Sequence, residues 1–158
     1  MKRVLVSGAT GLIGQAIVKF LLRENEYVIA LARSIERAES IFGKSNKNLE
    51  YIISDVCDIE PKNINVDYII HGASQTSSRA FIEEPIETIT TALTGTKNML
   101  EFARVNNVKG FVYLSSMEVY GSPLNDLKID EKHGTNLDTM KVRSCYPESK
   151  RMCESLCA

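Results

Sequence analysis

Tyr146 and Lys150 stand four residues apart, so on a helix both project from one face. A cation beside a phenol favours the phenolate, moving it towards a proton acceptor that works near neutral pH. Thirty residues upstream runs Ser115-Ser116-Met117-Glu118-Val119-Tyr120-Gly121, which adds hydroxyls and the carboxylate of Glu118. Arg143, just before the tyrosine, has the planar fork that binds a carboxylate or phosphate bidentately. A tyrosine and lysine at this spacing also occur on solvated helix faces. The serine-bearing strand end upstream favours chemistry here.

A second constellation opens the chain. Gly8-Ala9-Thr10-Gly11-Leu12-Ile13-Gly14 directly follows an apolar run and precedes a helical one. In that context Gly8 allows a tight turn, Gly11 lets a pyrophosphate approach the backbone, and Gly14 lets the helix sit close on the strand. The helix N-terminus offers unpaired N–H groups and a positive dipole end. Gly8, Thr10, Gly11, Leu12, Ile13 and Gly14 are therefore the candidate phosphate-binding residues. Downstream, Ala30-Leu31-Ala32-Arg33-Ser34 lacks the acid that usually holds the ribose hydroxyls of NAD, and Arg33 places a cation where a 2′-phosphate would sit. The expected cofactor is NAD or NADP, with NADP favoured by Arg33. Asp55 and Val56 are expected to bracket the adenine, and Gly72, Ala73 and Ser74 to let the cofactor lie across a sheet edge.

The elements that must position these residues follow from periodicity. Val4–Val6, Tyr27–Ala32, Leu49–Ser54, Val66–His71 and Gly110–Ser115 read as strands, since short continuous apolar runs suit a sheet covered on both faces. Ile13, Ile17, Phe20 and Leu21 predict a helix to about Arg23. Ser34 and Gly43 bound a short one carrying Ile35, Ala38 and Ile41. A long helix spans Pro85–Asn106, with Ile86, Ile89, Leu93, Leu100 and Ala103 on its inner side. Gly121–Arg143 is polar and turn-rich and reads as a long functional loop, before a last helix from Tyr146–Pro147 onward. Strands alternating with crossover helices predict one α/β domain over residues 1–158, a doubly wound parallel sheet in three layers.

Composition agrees. The chain has 158 residues, of which 44% are hydrophobic and 25% charged, enough to bury a core without staples. A net charge of -1 provides no footprint for nucleic acid or an anionic membrane. No apolar stretch is long enough to span a bilayer. His71 and His133 are the only histidines, and Cys57, Cys145, Cys153 and Cys157 form no spaced zinc pattern, so no metal site is expected. Free thiols and a first apolar run broken at Ser7-Gly8 point to a reducing, cytoplasmic setting.

Together the GxxGxxG turn, the His71-Gly72-Ala73-Ser74 segment, the Ser115–Gly121 run and Tyr146-Pro147-Glu148-Ser149-Lys150 resemble the extended short-chain dehydrogenase/reductases. Within that group the likeness is to the NAD-dependent epimerases and dehydratases acting on nucleotide sugars. The resemblance implies a Rossmann fold and a sugar-nucleotide substrate. It also implies that the chain is the cofactor-binding part, truncated after about five strands, without the substrate-binding part. It assigns Ser116 to hold the substrate oxygen, Tyr146 as acid/base, Lys150 to the nicotinamide ribose as well, and Ser115 and Tyr146 to the cofactor. Met117 stands where the 4,6-dehydratases carry Asp, whereas Glu118 and Arg143-Ser144-Cys145-Tyr146 look more like UDP-glucuronate decarboxylases. Ala92 departs from an Asn common three residues before the Gly95-Thr96 pair. Rival expectations are a non-catalytic NAD(P)-binding module and an interaction protein pairing through its long helices. A homodimer is compatible with each.

Overall fold

The computed structural model describes residues 1–122, 128–132 and 136–158, so His133 and part of the loop predicted over Gly121–Arg143 lie outside the described residues. In chain order the elements are β1 Arg3–Ser7, α1 Leu12–Arg23, β2 Tyr27–Ala32, α2 Ile35–Phe42, β3 Leu49–Ile53, β4 Tyr68–His71, α3 Ala80–Glu83, α4 Pro85–Val105, β5 Gly110–Tyr113 and α5 Cys145–Cys157. Short 3-10 turns occupy Met117–Tyr120 and Val142–Ser144. Among the described residues no helix is long and apolar enough to cross a membrane.

The chain divides into two compact units, Met1–Ser74 with Thr94–Leu114, and Gln75–Leu93 with Ser115–Ala158. The first holds a five-stranded parallel sheet in the order β3-β2-β1-β4-β5. Strand alternation sorts its apolar side chains into two layers. Leu5, Ile29, Leu31 and Ile69 meet Met99, Phe102 and Ala103 of α4 on one face. Val4, Val6, Val28 and Ala30 meet Val18 of α1 on the other. That is the doubly wound arrangement expected. Ser34 caps α2 by accepting from the Arg37 N–H at 3.1 Å, and Gly43 ends it, both as predicted.

Three expectations need correction. Ile86 and Ile89 are 75% and 38% exposed; Ala103 is buried as expected, and the rest of the buried stripe of α4 is Thr88, Ala92, Thr96, Met99 and Phe102. Only its N-terminal part, Thr88, Ala92 and Thr96, is small or hydroxyl-bearing, and Thr88 satisfies its hydroxyl on the Glu84 carbonyl at 3.0 Å. On α1 the apolar reading likewise chose Ile13 and Phe20, which are exposed, while Gly14 and Val18 face the sheet. Finally β3 and β5 stop at Ile53 and Tyr113, so Ser54, Ser115 and Ser116 lie beyond the ladders.

The second unit is helical, built from α3, the first half of α4, both 3-10 turns and α5. The inward face of α5 carries Cys145, Tyr146, Pro147, Ser149, Lys150 and Cys153. The thiol of Cys153 donates to the carbonyl of Ala92 at 3.2 Å. Ala92, the departure from the usual Asn, thus meets a sulfhydryl from α5.

Candidate functional site

In the first unit the glycine turn has the geometry its sequence implies. Gly8 adopts φ +68, and a Cβ there would stand 2.8 Å from both Ala73 N and Gly72 C. A Cβ on Gly14 would lie 2.1 Å from the Gly8 carbonyl oxygen. Gly11 is the N-cap of α1, with no side-chain cap and no acid in the first turn. The leading N–H groups of the helix therefore keep their donor capacity and the positive end of the dipole. The side chains of Leu12 and Ile13 point to solvent, so these two candidates offer backbone. The carbonyl of Thr10 accepts from Gln15 Nε2 at 3.0 Å. This cradle, closed to any side chain and lined by uncapped donors, fits a dinucleotide pyrophosphate.

Around it the other cofactor candidates sit at the carboxyl ends of the strands. Arg33 is exposed and enters no ion pair among the described residues. Asp55 turns one carboxylate oxygen back to accept the Cys57 N–H at 2.9 Å. The Val56 side chain is buried in the core and its carbonyl accepts from Asn98 Nδ2 at 3.0 Å, so what this residue would offer an adenine is its backbone N–H. Gly72 and Ala73 carry a feature the sequence reading missed. Their N–H groups, at 3.2 and 3.3 Å, point to the hydroxyl of Ser7, which in turn bonds His71.

In the second unit Tyr146 and Lys150 do share the buried face of α5, with Lys150 Nζ 6.0 Å from the phenol ring centroid. Lys150 is only 3% exposed, and burial holds its ammonium pKa below the ordinary lysine value. Ser116 caps the first 3-10 turn, accepting from the Glu118 N–H at 3.3 Å. Ser115 donates to a Glu154 carboxylate oxygen instead of standing open. Glu118 and Arg143, considered separately from sequence, form one ion pair, in which Nη2 donates to Oε1 at 2.8 Å and Nη1 lies 2.8 Å from Oε2 without the alignment of a hydrogen bond. The carboxylate holds the Arg143 pKa above its ordinary value. Met117 is 84% exposed.

Phe81 is the residue sequence reasoning overlooked. Its ring stacks on Tyr146 at a centroid distance of 4.2 Å and an interplanar angle of 14°, and Arg143 lies 4.6 Å from its centroid. Its carbonyl accepts the Cys145 thiol at 3.2 Å. A phenylalanine in a polar stretch with no strand or long helix offers no periodic signal, and only the fold reveals its contact with the tyrosine.

Comparison with known proteins agrees with this geometry. Residues 4–158 match the NAD dependent epimerase/dehydratase family. UDP-glucuronic acid decarboxylase 2 of Arabidopsis thaliana is 36% identical over 98% of this chain and 34% of its own length. UDP-glucuronic acid decarboxylase 1 of Xenopus tropicalis is 32% identical, over 99% of this chain and 37% of its own. Among solved structures, a UDP-glucose 4-epimerase from Bifidobacterium longum in complex with NAD+ and UDP superimposes with TM-score 0.78 at 28% identity, over 98% of this chain and 48% of that one. A UDP-N-acetylglucosamine 4-epimerase from Methanobrevibacter ruminantium M1 gives TM-score 0.81 at 26% identity, over 98% and 49%. The chain thus spans about a third to a half of the relatives it matches. With the cradle, the parallel sheet and the Tyr146–Lys150 pair in place, the chain belongs to the NAD-dependent epimerase/dehydratase family.

Proposed function

We propose that this chain binds a nicotinamide dinucleotide and supplies the proton-transfer residues for oxidation of a sugar carbon in a UDP-sugar. The observation that carries the proposal is the Tyr146–Lys150 pair buried one turn apart on α5. The cofactor, when bound, supplies the hydride acceptor. Gly8, Gly11 and Gly14 would hold its pyrophosphate against the N-terminus of α1, and Lys150 its nicotinamide ribose. Tyr146 takes the hydroxyl proton as the adjacent carbon loses hydride, and Ser116 holds the substrate oxygen. Phe81 keeps the phenol from rotating.

The substrate class favoured is a UDP-sugar acid, because the decarboxylases of Arabidopsis thaliana and Xenopus tropicalis resemble this chain over nearly all of its length. Arg143 already pairs with the Glu118 carboxylate, with Nη2 donating and Nη1 left without a hydrogen bond. A substrate carboxylate would take both guanidinium N–H groups and leave Glu118 available as an acid–base group. UDP-sugar epimerisation is the second reading, supported by the fold match to the Bifidobacterium longum enzyme.

The test is Tyr146→Phe in the full-length protein. The ring and its stack on Phe81 remain while the proton acceptor is lost. Nicotinamide reduction on adding UDP-glucuronate should fall roughly 10²–10⁴-fold, while NAD+ affinity by calorimetry stays within error. Turnover equal to wild type would remove Tyr146 from the mechanism.

A further inference from the structure

We infer that Ser7, His71 and Thr96 form a buried hydrogen-bond relay that fixes the Gly72–Ala73 backbone against Gly8, and so positions the dinucleotide cradle. All three are essentially excluded from solvent. They come from the carboxyl ends of β1 and β4, paired in register, and from α4. Ser7 Oγ lies 2.6 Å from His71 Nδ1, and His71 Nε2 lies 3.1 Å from Thr96 Oγ1.

The direction of the relay follows from donor counting. Two N–H groups, from Gly72 and Ala73, point at the Ser7 oxygen. A hydroxyl oxygen has two lone pairs and one proton. With both lone pairs taken, Ser7 must donate its proton to His71 Nδ1. The imidazole is then neutral, carries its proton on Nε2, and donates to Thr96. The tautomer with its proton on Nδ1 would leave the Ser7 proton without an acceptor on His71.

The consequence reaches the cradle because Gly72–Ala73 and Gly8 are in backbone contact; a Cβ on Gly8 would overlap both Ala73 N and Gly72 C. Removing the Ser7 hydroxyl takes an acceptor from two part-buried N–H groups; Gly72 keeps the Ser7 carbonyl at 3.2 Å, whereas Ala73 must move to find another. The residues are thus positioning residues, acting through the loop rather than on a ligand. The inference rests on the cofactor reading above for its functional part alone.

The test uses Ser7→Ala, Ser7→Thr, which keeps the hydroxyl, and Thr96→Val, which severs the far end without changing shape much. In wild type, nitrogen NMR should show His71 protonated on Nε2. Ser7→Ala should speed amide exchange at Ala73, more than at Gly72 with its second acceptor, and raise the NAD+ Kd about tenfold, the equivalent of one hydrogen bond. Ser7→Thr should restore both, and Thr96→Val should move the His71 resonances and weaken binding in the same sense. Faster exchange in a chain that binds no dinucleotide would sustain the relay and overturn the cofactor reading. Unchanged exchange and affinity in Ser7→Ala, or a His71 protonated on Nδ1, would overturn the relay.

Discussion

Gly14→Ala sets two effects against each other, and the structure says which wins. Alanine is the better helix former by about 1 kcal/mol in a helix interior, so propensity alone predicts a more stable chain. The new Cβ, however, would stand 2.1 Å from the Gly8 carbonyl oxygen and 2.9 Å from Ala9 Cα. Those neighbours are backbone atoms, so no rotamer change can relieve the contact. Helix α1 must move away by more than an ångström from a strand end whose own conformation depends on Gly8 at φ +68. Overpacking of this kind costs roughly 1–3 kcal/mol and sometimes more. The clash therefore cancels the propensity gain and, with backbone atoms that cannot give way, leaves a net loss of up to about 2 kcal/mol.

Urea unfolding is the direct assay. The midpoint should fall with an unchanged slope, since the surface exposed on unfolding is the same. In a chain of this size each kcal/mol corresponds to about 2–4 °C in Tm. Because the movement displaces the leading N–H groups of α1, the NAD+ Kd should rise by about tenfold or more, equivalent to 1.4 kcal/mol. A variant as stable as wild type, with unchanged affinity, would refute the close packing of α1 on the glycine turn.

Three further outcomes are expected. Burial holds the Lys150 pKa down, so the unfolded chain binds more protons between that value and the ordinary lysine pKa, and wild-type stability should rise with pH across this window; Lys150→Met should remove the rise in a pH series of unfolding midpoints. Asp67 accepts from Lys109 Nζ and from the Arg3 N–H, which lowers its pKa, so its contribution is present above the ordinary carboxylate pKa and lost as pH falls through the lowered one; Asp67→Asn should flatten the acid limb of the same series. Arg33→Ala should cost roughly 1.5–3 kcal/mol in NADP binding and leave NAD binding unchanged; equal NADP affinity in the two proteins, measured by calorimetry, would make Arg33 a solvated strand-end residue.

The fold was legible where local rules and tertiary demands coincide. The strands are short apolar runs between turns, Ser34 and Gly43 bracket α2, and Pro85 starts α4 where a proline is tolerated. Helix ends were less legible. Asn25 and Asn107 take φ 59 and 49 just after α1 and α4, doing what glycine usually does at a helix C-terminus. The inner face of α4 was misread for a related reason. Its packing surface is selected by closeness, as at Gly95, whose Cβ would fall 2.8 Å from Val56 Cγ2. Hydropathy favours Ile86 and Ile89 instead, and carries no information about closeness.

The candidate site divides in the same way. Glycines, the tyrosine and the lysine act through their own atoms, and the chemistry they can do is written in residue type and spacing. Phe81, Ser7, His71 and Thr96 act through other residues, and nothing local says which. His71 enters the sequence reading only as part of the His71-Gly72-Ala73-Ser74 segment and Thr96 only as part of the Gly95-Thr96 pair, neither with a partner. Their meaning appears only when β1, β4 and α4 bring three polar side chains together in a dry interior, where each must find a partner. Glu118 and Arg143 show the intermediate case. Each was legible as a charged group able to do chemistry, but the partner of each turned out to be the other. An ion pair of two groups each about a third exposed contributes little to stability, so the geometry gains its interest from what would replace one member. Under the proposed reading, a ligand carboxylate that displaces Glu118 from the arginine would leave an acid–base group beside Ser116, coupling substrate recognition to its availability.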